Sequence, residues 1–416
     1  MFCPACGYQA GVDARFCPGC GHELRTSGRA AEAETAGTSA GAETAASAET
    51  AGAGTARERQ SGSAQAPSGG GILQDFADKL HRAAGFEEKV EIKLKDVFSD
   101  TFKKHSEEDA ERLFIVGTSA TTPTMDQLID TWPKPWLFMR IFIVGMIGFL
   151  GFYLGYTFFE NQNLLPGLIM VGSFVVPISL LIFFWELNAP QNIPLYRVLH
   201  HVFIGGILSL IIALLFFETV GGVGVYPIIV GIIEEAAKVL AILWCLRKQA
   251  GYHYILNGLL VGAAVGTGFA AFESAGYATR FDMFSTIFWR GLLAPGGHIV
   301  WAALSGAAIC MVKGREPWKW SMLKDPRFLR IFIIVVALHG AWNSKISATL
   351  SPLSHLLLTA ISWILVFAMI HVGLQQVSKL KQQYMREKEQ ALQAPDAAAE
   401  AAAGDVRQED YRPEQT

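Results

Sequence analysis

The chain is 416 residues long, 51% hydrophobic and only 17% charged, with a net charge of −3. Its mean hydropathy of +0.31 is too high for an ordinary soluble globular protein, and the nearly balanced charge gives no basis for binding nucleic acid. Apolar residues concentrate between Trp136 and Leu374, which predicts an all-α polytopic membrane domain with polar flanks.

In chain order, residues 1–25 come first and carry Cys3-Pro-Ala-Cys6 and Cys17-Pro-Gly-Cys20. Paired C-x-x-C knuckles present four thiolates for a tetrahedral structural zinc, and Gly7 and Gly21 permit the tight turn after each knuckle. So short a segment has almost no core, so metal binding must supply its folding free energy. The alternative, two disulfides, needs an oxidising compartment. Met1 opens directly onto the motif, without the basic and apolar regions of a secretory signal, so this segment is expected in the cytoplasm. Cys245 and Cys310 lie in apolar runs and read as small core residues.

Residues 26–71 are rich in Ala, Gly, Ser, Thr and Glu with almost no large apolar residue, a composition expected to form a disordered linker. Residues 72–133 turn amphipathic at helical spacing and predict two or three soluble helices. Residues 134–377 form the transmembrane domain, and residues 378–416 a charged, Ala-rich cytoplasmic tail expected to be unstructured beyond Gln390.

Within the membrane domain the sequence predicts a bundle of eight transmembrane helices: 136–159, 164–185, 198–217, 226–246, 254–278, 284–312, 328–344 and 353–374. The sixth is interrupted at Pro295-Gly296-Gly297. Alternate loops and the tail carry the Lys and Arg excess, as at Arg247, Lys248, Lys313, Arg315, Lys319 and Lys379. The positive-inside rule then places both termini in the cytoplasm of a multi-pass cell-membrane protein, the compartment that suits the zinc knuckles.

Four spans hold ionisable residues away from their ends. The fourth has Glu234, Glu235 and Lys238, the fifth Phe269 and Glu273, the sixth His298 and the seventh His339 and Asn343. A charged side chain in the bilayer costs several kcal/mol, roughly, so such residues point to function. Each has a plainer reading: Glu235 and Lys238 can be a structural pair, a lone His usually packs, and Arg290 reads as snorkelling to the outer interface. Counted from the outer ends at about 1.5 Å per residue, Glu234, Glu273 and His339 lie about 9–12 Å deep, with His298 deeper. The four spans are expected to bring these groups into one wet cavity. A carboxylate beside imidazoles there can act as a general base on water, while His and Asn donate to an oxyanion. The same groups can also hold a metal that acidifies the water, and spacing does not separate the two mechanisms.

Glu234-Glu235-Ala-Ala-Lys238, Phe269-x-x-x-Glu273, His298 and His339-x-x-x-Asn343, in that order, resemble the motifs of the PrsW family of intramembrane proteases. That family is related to the CAAX prenyl endopeptidases and bacteriocin-processing enzymes. The resemblance covers about Phe138 to Leu374 and implies glutamic-type hydrolysis of peptide bonds in membrane-associated proteins. It implies Glu234 or Glu235 as base, His298 and His339 orienting water or stabilising the oxyanion, and Glu273 completing the catalytic cavity, with Lys238, Phe269 and Asn343 in support. It also implies substrates such as a single-pass, anti-sigma-factor-like membrane protein. The ribbon lies outside the resemblance and is expected to contact a cytoplasmic protein partner. Two other functions fit the residues: a non-catalytic membrane sensor whose cavity holds a ligand or metal, and a proton-coupled carrier. No internal repeat supports the carrier.

Overall fold

A computed structural model of the chain describes residues 71–85, 94–118, 120–220, 226–247, 249 and 251–409, the side chains of 71–75 and 391–409 excepted. The four ribbon cysteines and the linker lie outside the described residues. The chain divides into two units at Leu73/Gln74, and apart from the first three residues of the first helix everything below concerns the second. All the regular structure among its described residues is helical.

Three short helices come first, α1 (Gly71–Ala83), α2 (Leu94–Val97) and α3 (Glu107–Phe114). Helix α3 starts at a capping box in which Ser106 Oγ accepts from Asp109 N at 3.1 Å and Asp109 Oδ2 accepts from Ser106 N at 2.9 Å. Next come α4 (Leu137–Phe159), α5 (Leu165–Glu186), and α6 (Leu195–His200), which runs through a π-turn at His201–Gly205 into α7 (Gly206–Val220). Then follow α8 (Pro227–Leu246), α9 (Ile255–Ala278), α10 (Met283–Leu293), α11 (His298–Lys313), α12 (Pro326–Trp342), α13 (Lys345–Thr349) and α14 (Leu353–Glu409).

Helix lies along each expected span, the sixth divided between α10 and α11, but only six helical stretches of the described residues are long and apolar enough to cross a bilayer unaided. The other two are α8, which carries Glu234, Glu235 and Lys238, and α12, which has 17 residues. These two pack against each other inside the bundle and bring polar groups with them. The last span was expected to end at Leu374 and the chain to lose structure beyond Gln390; instead α14 continues to Glu409. Its Ala, Glu, Gln and Lys content explains the difference, because these are strong helix formers.

The apolar stretch of α9 is 94% buried and that of α4 only 6%, so α9 is the central post and α4 the outermost helix. Glu186, at the end of α5, ties α4 in place by accepting from Trp136, Leu137 and Phe138 N–H at 2.8, 2.9 and 2.9 Å. That carboxylate satisfies donors that a helix start would otherwise leave unmade in an apolar setting.

Helix α9 meets α11 backbone to backbone. A Cβ on Gly258 would lie 2.2 Å from Gly306 O, one on Gly262 2.1 Å from Ala302 O, and one on Gly266 2.5 Å from His298 O. Small residues at four-residue spacing allow this approach, which in lipid supplies packing that the hydrophobic effect does not. Gly262→Val should therefore force the two helices apart and cost roughly 1–3 kcal/mol or more. Thermal unfolding in detergent checks this, with Gly276→Ala, where a Cβ meets nothing within 4 Å, expected to be silent.

The break before α11 is also packed. Leu293 leads into a 3-10 turn at Ala294–Gly296, whose Pro295 carbonyl accepts from Trp363 Nε1 at 2.9 Å. A Cβ on Gly296 would lie 1.9 Å from Thr359 Oγ1, so this turn rests directly on α14. The turn lets α11 begin at His298, which places that side chain at the level of Glu234 rather than deeper. A count along an unbroken helix overstates its depth.

Candidate active site

Helix α8 carries two adjacent carboxylates that a helix aims about 100° apart. Glu235 turns inward and is fully buried, while Glu234 faces a cavity of about 430 Å³. Glu235 Oε1 accepts from Lys238 Nζ at 2.6 Å and from His339 Nδ1 at 2.7 Å. Lys238, also with no exposure, reaches His298 Nδ1 at 2.9 Å and Glu234 Oε2 at 3.8 Å and lies 4.2 Å above the Phe269 ring. The plain reading of Glu235 and Lys238 as an ion pair thus describes their contact, which also anchors both histidines.

These contacts assign both imidazole tautomers. An ammonium can only donate, so His298 Nδ1 accepts from Lys238, which leaves Nε2–H to donate to Glu273 Oε2 at 3.1 Å. An ionised carboxylate can only accept, so His339 Nδ1–H donates to Glu235 and its Nε2 lone pair faces Glu234 Oε2 at 3.6 Å. Glu234 Oε2 is buried and has no hydrogen-bond partner among the described residues. Two acceptors therefore face each other at the cavity wall.

Glu273 is held from the other side by Arg290, whose Nη2 pairs with Glu273 Oε2 and whose Nε donates to Ser274 Oγ at 2.9 Å. The expected snorkelling of Arg290 to the interface gives way to this pair, since Glu273 lies within its reach and the Tyr277 ring lies 4.6 Å below its guanidinium. Trp301 stacks on His339 with ring centroids 4.6 Å apart and donates from Nε1 to Ser362 Oγ at 3.2 Å, fixing the back wall.

Of the residues singled out in the sequence, Glu234, Glu273, His298, His339 and Asn343 line the cavity. Glu235, Lys238 and Phe269 stand behind them and do not line it. Cys3, Cys6, Cys17 and Cys20 lie outside the described residues. Sequence reasoning missed Arg290 and Trp301 as parts of the site. Trp301 had a signal, since it lies three residues after His298 and so on the same helix face.

Glu234, His298 and His339 offer ligand atoms that all lie within 4.8 Å of one another, a donor set chemically suited to zinc. Each imidazole also has a carboxylate on its other nitrogen, the usual support for a metal ligand. The space between the donors does not fit an ion, because the Lys238 ammonium already sits against His298 Nδ1 and near Glu234 Oε2.

Residues 194–372 match the model of the PrsW family intramembrane metalloprotease, and residues 2–24 match that of a zinc-ribbon domain. The first match spans every site residue from Glu234 to Asn343 and the helices that carry them. No curated protein and no solved structure matches the chain.

Proposed function

From the premise that residues 194–372 form a PrsW-family intramembrane protease domain in a multi-pass membrane protein, we propose that Glu234 is the general base. It would activate a water that hydrolyses a peptide bond of a membrane-associated protein. The observation that carries this reading is that Glu234 lines the cavity together with His298, His339 and Asn343, a carboxylate beside imidazoles and an amide donor.

A water in the cavity donates one O–H to the Glu234 carboxylate, with the His339 Nε2 lone pair, 3.6 Å from Oε2, as the second acceptor beside it. Its oxygen lone pair is then directed at a carbonyl bound in the cavity. As the water attacks, its proton passes to Glu234, the C–O bond forms and the carbonyl becomes a tetrahedral oxyanion. The Asn343 amide, on the cavity wall, is the donor we assign to that oxyanion. Glu234 then returns the proton to the leaving nitrogen as the C–N bond breaks. Glu235, Lys238 and Glu273 hold the two imidazoles in the tautomers this sequence needs.

Arg290→Ala should lower the cleavage rate about 10–100-fold through loss of Glu273 positioning, with Arg290→Lys retaining part of the rate. Rates with a purified single-pass membrane substrate check this.

Both termini are proposed to be cytoplasmic, with the ribbon recruiting or sensing a cytoplasmic protein and the substrate a single-pass protein of the anti-sigma-factor kind. Deleting residues 1–70 should change which membrane proteins are cut while leaving the unfolding temperature of the helical bundle unchanged. The central test incubates the full-length protein in lipid vesicles with a single-pass substrate and identifies new termini by mass spectrometry. A new terminus within or beside the substrate's membrane span supports the reading. Binding without any new terminus supports the non-catalytic sensor instead.

A further inference from the structure

The cluster around Glu234 combines a metal-type donor set with a cation that belongs to the chain. Three lone-pair sites converge there: Glu234 Oε2, His339 Nε2 and His298 Nδ1. Each histidine has its remaining N–H fixed by a carboxylate, Glu235 on one and Glu273 on the other. In a metal site these are the ligands and the groups that orient them. Yet Lys238 Nζ lies 2.9 Å from His298 Nδ1, 3.8 Å from Glu234 Oε2 and 2.6 Å from Glu235 Oε1, with no exposure to solvent.

We infer that the Lys238 ammonium occupies the cation position of this centre and keeps it free of divalent metal. The steric argument comes first. A zinc ion would lie about 2.0–2.2 Å from its nitrogen and oxygen ligands. At that distance from His298 Nδ1 and Glu234 Oε2 it would press against a like-charged ammonium that lies 2.9 Å from the first and 3.8 Å from the second. The charge balance agrees. Three carboxylates, Glu234, Glu235 and Glu273, face two fixed cations, Lys238 and Arg290, with the imidazoles neutral in the tautomers above. Adding a divalent ion would carry the cluster past neutrality to a net positive charge inside a low-dielectric bundle, whereas removing Lys238 leaves a deficit of two charges that such an ion would cancel. The Phe269 face under Nζ, 4.2 Å away, and the complete burial of Lys238 fit a permanent cation site. The role is electrostatic and positional: Lys238 fixes the His298 tautomer and holds positive charge near the developing negative charge, as a metal would.

The inference concerns occupancy of the centre and stands or falls separately from proteolysis. The test is metal content by elemental analysis of the full-length chain, with Cys3, Cys6, Cys17 and Cys20 replaced by Ser, after equilibration with zinc and removal of loosely bound ion. The expected result is no tightly bound zinc in this protein and one zinc per chain when Lys238→Met is added. That ion should disappear again with Glu234→Gln or His339→Ala. Cobalt in place of zinc should give the visible bands of a nitrogen- and oxygen-ligated site only in the Lys238→Met protein. Should that protein fail to fold, Lys238→Gln, which keeps the length and a polar tip, serves for the same measurement. One zinc per chain with Lys238 intact, lost on Glu234→Gln, would overturn the inference. So would a folded Lys238→Met or Lys238→Gln protein that takes up no ion.

Discussion

Glu234→Gln should reduce cleavage of a single-pass membrane substrate by about 10²–10⁴-fold while changing the stability of the bundle by less than about 1 kcal/mol. The two halves of this expectation come from one feature. The Glu234 side chain lies against the cavity, its Oε2 has no hydrogen-bond partner, and its nearest cation is 3.8 Å away. An amide of the same shape fits without stranding a neighbour, but it cannot take a proton from water. Rates and thermal unfolding measured on the same preparation check both halves. Loss of activity accompanied by a large fall in unfolding temperature would instead assign Glu234 a mainly structural part.

The adjacent carboxylate should behave in the opposite way. Glu235→Ala is expected to lower stability by roughly 3–5 kcal/mol and to remove activity as a consequence, because it leaves a buried charge without its partner. Glu235 has no exposure, and its Oε1 is the shortest contact of Lys238 and the acceptor for His339 Nδ1–H. Removing both members of a buried pair costs far less than removing one. Glu235→Gln combined with Lys238→Met should therefore recover much of the unfolding temperature while cleavage stays low, since His298 has lost the donor that fixes its tautomer. Detergent unfolding curves of the single and double variants separate these effects. Equal destabilisation by the single and double changes would show that the pair is not coupled.

Most of this site was legible in the sequence because membranes make buried charge expensive. Glu234, Glu235, Glu273, His298 and His339 stood out against apolar runs, and four of these five line one cavity. The difference between the two glutamates was legible only in part. The pairing of Glu235 with Lys238 within α8 was readable, but only the rotation of α8 against α12 turns Glu234 toward the cavity and Glu235 toward His339. The residue count set His298 deeper and left its level open at the Pro295-Gly296-Gly297 break, and the 3-10 turn that restarts α11 at His298 fixes that level. Arg290 read as an interfacial side chain because its position near a span end was visible and its partner Glu273, on another helix, was not.

The fold divides in the same way. Apolar run length located the helices, since length is what the bilayer fixes. It did not reveal that α9 stands at the centre and α4 at the rim, which depends on Gly258, Gly262 and Gly266 meeting α11 backbone directly. Nor did it reveal Glu186 as the tie between α4 and α5, because a Glu at a span end reads as an interfacial charge until its three N–H partners are seen.

The most direct measurement of the central claim is cleavage of a single-pass substrate in vesicles made up in ¹⁸O-labelled water, comparing the wild-type chain with Glu234→Gln. The wild-type protein is expected to leave one ¹⁸O in the new carboxyl terminus of the product, and Glu234→Gln, folded to the same unfolding temperature, to give no product on the same timescale. Labelled product formed by Glu234→Gln at the wild-type rate would contradict that claim.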